Sequence, residues 1–279
     1  MMNRFIQPIW RHPLHSFFLI TFTLSWIFLI LAYMVFKNSM FLAWIGMFFP
    51  SLTALFITGV CYGKNGLERL LSRLYHWRVS WYWYLAIFGL PIALIGGTIL
   101  IHDGPTALIF WLKTLPTLVP FLVGMTFLMA LVTAGEEIGW RGFALPHLQT
   151  RFSPLVSSVI LGFLWGIWHI PAAMDPTYVL NRASLPLSST LFTLACIGLS
   201  ILYTWIWNNT GGSLLLMCLF HSFDNTIFTL AAAVYPYLID QYWYYLIVLA
   251  ALLVPILLFP ERKLIRKPHL TKIQSPNQG

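Results

Sequence analysis

Seven stretches of this chain, each at least 20 residues long, contain no Asp, Glu, Lys or Arg. They are residues 13–36, 38–63, 79–102, 114–135, 152–174, 183–223 and 241–260. A helix that crosses the roughly 30 Å hydrocarbon core of a bilayer needs about 20 predominantly apolar residues, so this pattern predicts a membrane protein. The composition agrees, because 9% of the residues are charged, against about a quarter in a soluble domain.

The sixth stretch is too long for one crossing, and it contains a polar break, Asn-Asn-Thr-Gly-Gly, at residues 208–212. Dividing it there predicts an all-α, polytopic bundle of about eight transmembrane helices, forming a single membrane domain over residues 1–279. The expected helices are residues 16–36, 40–62, 81–102, 117–147, 154–173, 188–208, 211–234 and 241–259. Residues 64–80 are amphipathic and are expected to lie along the membrane surface, and the basic tail, about 261–279, is expected to be disordered.

The distribution of lysine and arginine predicts the orientation of the bundle. With the N-terminus in the cytoplasm, thirteen of these residues fall in cytoplasmic segments and three in external loops, which satisfies the positive-inside rule. Eight helices then place both termini in the cytoplasm. The net charge of +8 therefore indicates topology and contact with lipid headgroups. Because the basic residues are scattered among the membrane flanks, we expect the bilayer as a partner and no nucleic acid.

Three of the predicted helices carry ionisable or amide side chains among apolar neighbours. Such groups cost several kcal/mol at membrane depth, on the order of 3 by insertion scales, and they usually mark a functional site. Their spacing sorts them, since residues four apart share a helix face and adjacent residues project about 100° apart. The residues are Glu136, Glu137 and Arg141 on the fourth helix, His169 on the fifth, and His221 and Asn225 on the seventh.

Depth brings these groups into one layer. At about 1.5 Å of rise per residue, His169 lies roughly 22 Å from the start of its helix. By the same rise, His221 and Asn225 lie about 15 and 21 Å beyond the turn at residue 211. Glu136 reaches this layer only if the fourth helix continues past Arg141 to about residue 147. We therefore expect a shared site in a cavity that opens to the cytoplasm.

Each group also has a simpler interpretation. Glu137 and Arg141 could form a structural ion pair, which would leave Glu136 free for other work. His169 could be a core histidine whose hydrogen bonds are satisfied. His221 and the amide one turn later could link neighbouring helices. Their coincidence at one depth favours a site.

At these residues the sequence resembles the CPBP family of intramembrane endopeptidases. That family contains the type II CAAX prenyl endopeptidases and bacterial relatives linked to bacteriocin processing and self-immunity. Its motifs are Glu-Glu-x-x-x-Arg, Phe-x-x-x-His and His-x-x-x-Asn, in that order, and the resemblance covers about residues 119–233. Trp165 replaces the usual Phe, which keeps an aromatic wall but narrows the pocket beside the histidine. The motifs here are Glu136-Glu137-x-x-x-Arg141, Trp165-x-x-x-His169 and His221-x-x-x-Asn225.

The resemblance implies an enzyme that hydrolyses a peptide bond in a membrane-associated peptide or protein, with a catalytic core at about residues 117–234. Glu136 and His169 would activate a water, and His221 and Asn225 would stabilise the oxyanion. The supporting residues would be Glu137, Arg141 and Trp165.

Metal dependence is left open by the sequence. Glu136, His169 and His221 could hold zinc with a water in the fourth position. No His-Glu-x-x-His motif occurs in the chain, and we expect a glutamate-dependent, metal-free reaction, with no cofactor firmly predicted.

Two other classes of function use the same kind of residues. Glu, Asp and His side chains serve as proton relays in transporters, although the chain lacks the paired interrupted helices of an inverted repeat. A non-catalytic bacteriocin-immunity protein could use the same fold to bind a partner.

Overall fold

The computed structural model of the protein describes residues 7–36, 39–171 and 185–235. The eighth predicted helix, residues 241–259, and the basic tail lie outside these ranges. Within them all regular structure is helical. The α-helices are α1 Gln7–Arg11, α2 Pro13–Ile30, α3 Met40–Leu71, α4 Trp81–Glu137, α5 Leu145–Gln149, α6 Pro154–Trp168, α7 Leu185–Asn209 and α8 Leu214–Val234.

Five helical spans in the described part of the chain are long and apolar enough to cross a membrane. The chain is therefore a multi-pass membrane protein with an all-helical fold, as the sequence predicts. The spans are Pro13–Val35, Met40–Tyr75, Trp81–Gln149, Ser189–Asn209 and Leu214–Val234, and the shorter apolar helix is Pro154–Trp168.

The third and fourth predicted helices, residues 81–102 and 117–147, are joined by a bend, and the residues between them are helical as well. α4 bends at Gly104, where φ is 79° and ψ is −175°. Glycine adopts this positive φ without the steric penalty of a side chain. Pro105 follows directly, and proline is well tolerated in the first turn of a helix. The helix therefore restarts at residue 105, although Asp103 and Lys113 indicate a loop in the sequence.

The surface segment at residues 64–80 is α-helical only in its first half. α3 bends at Gly63 and ends at Leu71, and a 3-10 turn follows at Ser72–Tyr75. The segment then packs on the start of α8, where the Ser213 hydroxyl donates to the His76 carbonyl over 2.6 Å.

The chain stays helical beyond Arg141, as the depth argument requires. α4 passes into a π-helical segment, Ile138–Ala144, which leads into α5. This wider turn packs against α3, since a Cβ on Gly139 would lie 2.5 Å from the Pro50 carbonyl carbon. π-helical turns inside α-helices are rare and occur frequently at functional sites.

The predicted fifth helix, residues 154–173, is shorter in the structure. α6 begins after Ser153, whose side chain accepts from the Val156 N–H, and it ends at Trp168 with His169 as the C-cap. Pro171 explains the early end, because a proline disfavours the helical conformation of the residue before it. His169 therefore lies at the end of its helix rather than within it.

α6 packs closely on α7 through two glycines one turn apart. A Cβ on Gly166 would lie 2.7 Å from the Thr193 Cα, and one on Gly162 would overlap the backbone at Ile197. Small residues at this spacing let membrane helices approach closely and gain van der Waals contact. This contact fixes Trp165, which lies between the two glycines in sequence, against α7.

Gly166→Ala is expected to destabilise the bundle. The added methyl must displace the α7 backbone, and overpacking of this kind costs about 1–3 kcal/mol. Gly124→Ala is the matched control, because Gly124 is an exposed helical glycine with open space where its Cβ would be. Thermal unfolding in one detergent measures both variants. Equal melting temperatures for Gly166→Ala and Gly124→Ala would contradict the α6–α7 contact.

Candidate active site

Glu137 and Arg141 form the ion pair that their spacing predicts. Arg141 Nη1 lies 2.7 Å from Glu137 Oε1, and both side chains have no exposed surface. The guanidinium also contacts two rings, with its carbon 4.4 Å from the Trp165 ring centre and 4.0 Å from that of Tyr203. Desolvated cation–π contacts are worth about 2 kcal/mol. Arg141 is therefore enclosed and acts on the site through Glu137.

Glu137 also joins α4 to α8. His221 Nδ1 lies 2.8 Å from the same Glu137 oxygen that holds Arg141. His221 is 5% exposed, so this contact takes place out of bulk water. An ionised carboxylate only accepts hydrogen bonds, and the ring therefore carries its proton on Nδ1. His221 Nε2 is the atom left for other partners.

Glu136 is held by a different helix. The indole N–H of Trp165, on α6, donates to Glu136 Oε2 over 2.9 Å. Glu136 is 3% exposed, and its other oxygen, Oε1, receives no hydrogen bond from the described residues. The two adjacent glutamates thus have separate partners, as the 100° angle between their side chains requires.

His169 lies beside the same tryptophan. Its Nδ1 is 2.8 Å from the Trp165 carbonyl oxygen, which can only accept, so Nδ1 carries the proton and Nε2 is left for other contacts. The His169 and Trp165 rings are 5.6 Å apart, and the Trp165 and His221 rings are 5.5 Å apart. Trp165 therefore contacts Glu136 and both histidines.

Asn225 lies one turn after His221, which places it on the same face of α8. It is exposed, unlike the buried residues of the site, and its side chain makes no hydrogen bond to any described residue. The structure therefore groups Glu136, Glu137, Arg141, Trp165, His169 and His221 through short contacts, and it leaves Asn225 beside them on α8.

Two aromatic residues of α7 also lie against the site. Neither was predicted from the sequence as a site residue. Tyr203 covers Arg141 and lies 6.1 Å from the His221 ring, and Phe192 lies 5.1 Å from the His169 ring. One signal was available for the tyrosine. It stands six residues before the end of α7, roughly 9 Å inside the helix, which is deeper than an interfacial aromatic belt. The phenylalanine has no such signal, because it resembles any other apolar residue of the helix.

The described side chains do not fit the proposed zinc site. Among residues 7–36, 39–171 and 185–235, no three His, Cys, Asp or Glu side chains are grouped to hold a metal ion.

Comparison with known proteins assigns the segment that carries this cluster. Residues 116–227 match the family described as type II CAAX prenyl endopeptidase, Rce1-like, and this range contains all seven of the predicted site residues. The segment is an Rce1-like domain. The resemblance to the CPBP family is thereby confirmed.

A curated relative of the Rce1-like domain comes from an archaeon. The protein named CAAX prenyl protease 2 of Methanococcus maripaludis is 31% identical over 106 residues. The aligned part is 37% of this chain and 39% of the relative, so the chain spans about two fifths of the length of that protein.

Arg141→Met is expected to destabilise the Rce1-like domain strongly. Removing one partner of a buried ion pair leaves an uncompensated charge and costs about 3–5 kcal/mol. The double variant Arg141→Met/Glu137→Gln should recover part of this loss, because it removes the stranded charge. Thermal unfolding in detergent measures both.

The matched control is Lys64→Met. Lys64 and Glu68 also lie four apart, at 3.7 Å, but their side chains are 88% and 62% exposed. Exposed pairs contribute about 0–1 kcal/mol, so this variant should melt close to wild type. An Arg141→Met protein as stable as Lys64→Met would contradict the role given to the buried pair.

Proposed function

We propose that the protein is an intramembrane endopeptidase that uses water activated by Glu136 to cleave a membrane-associated peptide or protein. One observation carries this proposal. Glu136 has one carboxylate oxygen held by Trp165 and the other without a described hydrogen bond, and both histidine rings lie within 5.6 Å of the ring of that tryptophan. A carboxylate with one free oxygen beside imidazole nitrogens suits the activation of water in a membrane-enclosed site.

Water activation begins the reaction. Glu136 Oε1 accepts a proton as the water oxygen attacks the carbonyl carbon of the scissile peptide bond. His169 presents Nε2 without a proton in its neutral form, because Nδ1–H is held by the Trp165 carbonyl. That lone pair orients the water or shares its proton, and general base assistance of this kind contributes about 10²–10⁴-fold.

The attack places negative charge on the former carbonyl oxygen. His221, when it carries both ring protons, donates Nε2–H to this oxyanion, while Glu137 holds Nδ1–H and offsets the positive charge of the ring. Asn225 supplies a second donor from the next turn of α8. Loss of one such donor typically costs 10²–10³-fold in rate, about 2.7–4 kcal/mol.

Collapse of the tetrahedral intermediate completes the cycle. The proton taken by Glu136 passes to the nitrogen of the leaving amine as the C–N bond breaks. One water is consumed, and the products are a carboxylate and an amine. Glu136 thus acts first as base and then as acid, and the glutamate returns to its starting form without any redox step.

A metal-free reaction fits the described side chains better than a zinc reaction, because their donor atoms do not converge as a ligand group. Incorporation of zinc in stoichiometric amounts, lost together with activity, would overturn this part of the proposal.

The substrate is proposed from the family and from the relative's name. A prenylated protein or a pheromone- or bacteriocin-like peptide would bring its cleavage site to the bilayer. The proposed location is a cell membrane, such as a bacterial plasma membrane. The positive-inside distribution favours an orientation in which the site opens to the cytoplasm.

Glu136→Ala and His221→Ala are expected to abolish cleavage of a panel of prenylated and pheromone-type peptides. The loss should be at least about 100-fold in kcat for each, because the first removes the base and the second an oxyanion donor. Mass spectrometry of products from the purified protein in nanodiscs measures it. Glu68→Ala is the control, since Glu68 is a helical glutamate at an exposed position.

Wild-type rates in both variants would show that these residues do not carry the reaction. The two alternative functions, a transporter and a non-catalytic immunity protein, predict different results for variants of Glu136. Substrate flux across sealed vesicles that requires Glu136 would indicate a transporter, and an immunity phenotype retained by Glu136→Gln would indicate a non-catalytic protein.

A further inference from the structure

Trp165 contacts several polar residues of the site in addition to forming an aromatic wall. Its indole N–H donates to Glu136, and its backbone carbonyl accepts from His169. Its ring covers one face of the Arg141 guanidinium and meets the His221 ring edge to face. One residue of α6 thus contacts groups on α4 and α8 as well as the end of its own helix.

The hydrogen bond to Glu136 is the contact that depends on tryptophan. A phenylalanine, the residue usual at this position in the family, fills the same wall but has no N–H to donate. The bond joins Trp165 Nε1 to a carboxylate oxygen over 2.9 Å in a buried setting. Hydrogen bonds to ionised acceptors are about twice as strong as neutral ones, and low local dielectric strengthens them further.

The tryptophan itself has little freedom to move. It is 4% exposed, and the glycines on either side of it in α6 lie directly against α7. Arg141 lies on one face of the ring, 4.4 Å from its centre. A donor fixed in this way determines the orientation of the carboxylate that it holds.

We propose that Trp165 is a positioning residue, whose indole N–H holds Glu136 Oε2 so that Oε1 is directed to the reacting water. The proposal rests on the proposed function for its catalytic meaning, but the hydrogen bond exists independently of any substrate. The same residue fixes the tautomer of His169 through its backbone carbonyl, which a side-chain substitution leaves in place. Replacement of the indole N–H alone, with the ring kept, therefore isolates the contact to Glu136.

Two replacements at position 165 test the role of the N–H. Trp165→Phe removes the donor and part of the ring. Genetic incorporation of 3-benzothienylalanine at position 165 keeps the ring size and replaces N–H with sulfur. Both should lower kcat about 10–100-fold with KM within about twofold of wild type. The reason is that displacing a catalytic group by about 1 Å can lower the rate about 10²-fold.

Trp111→Phe is the matched control. Trp111 lies on α4 and has no exposed surface, and its indole nitrogen has no hydrogen-bond partner among the described residues. Its ring contacts Tyr235, away from the site. Its substitution removes the same atoms from the bundle without removing a hydrogen bond, so kcat should stay within about threefold of wild type.

A second readout does not depend on activity. Melting temperatures of Trp165→Phe, Glu136→Ala and the double variant form a cycle that measures the coupling between the two side chains. The loss caused by Trp165→Phe should shrink by at least half in the Glu136→Ala background, because the hydrogen bond is already absent. Trp111→Phe should lower the melting temperature equally in both backgrounds.

The outcomes separate the two proposals. Additive melting temperatures overturn the inference, whatever the protein cleaves. Coupled melting temperatures with unchanged kcat in the benzothienyl variant also overturn it, because the bond would then be structural only. If the variant cycle shows coupled melting temperatures but the wild-type protein cleaves none of the substrates, the contact between Trp165 and Glu136 is established. The catalytic part of both proposals is then overturned.

Discussion

The site depends on one buried charge contact, in which Glu137 accepts from Arg141 on its own helix and from His221 on α8. Two unit charges about 4 Å apart interact with roughly 4 kcal/mol at an effective dielectric of 20, and all three side chains are buried. Without its partners, Glu137 would be an uncompensated charge inside the bundle. The pairing of α4 with α8 is thus set by electrostatics as well as by apolar packing.

This contact also explains the division of labour between the adjacent glutamates. Glu137 Oε1 accepts from two donors, and Oε2 is buried with no partner among the described residues. Because its side chain has no exposed surface, Glu137 is poorly placed to take a proton from water. Glu136 is turned away by the helical geometry and meets Trp165 on α6. The π-helical turn that follows keeps Arg141 on the Glu137 side and lets the chain pass close to Pro50 of α3. Of the two neighbouring residues on α4, Glu137 therefore stabilises the site and Glu136 is the reactive group.

Much of this arrangement could be predicted from the sequence, for identifiable reasons. Charge-free stretches report membrane helices directly, because the bilayer excludes charge, and the spacing of Glu137 and Arg141 predicts their ion pair. The extension of the fourth helix past Arg141 followed from the depth that Glu136 had to reach. Those features rest on local spacing or on a length set by the membrane.

The features that were missed depend on partners distant in sequence or on backbone detail. The restart of α4 after Gly104 replaces a loop that Asp103 and Lys113 suggested, and Pro171 ends α6 before the predicted boundary. No spacing rule shows that His221 selects Glu137 rather than Glu136, or that the Trp165 indole reaches a carboxylate on another helix. Such contacts between helices appear only once the packing is known.

The most direct test of the account compares Glu136→Gln with Glu137→Gln in the same membrane mimic, by cleavage rate and melting temperature. Glu136→Gln is expected to melt close to wild type and to lose cleavage, because the amide still accepts from Trp165 but cannot take a proton from water. Glu137→Gln is expected to lower the melting temperature by the larger amount, because Arg141 loses its counter-charge. Full cleavage by Glu136→Gln, or an unchanged melting temperature for Glu137→Gln, would contradict this division of roles.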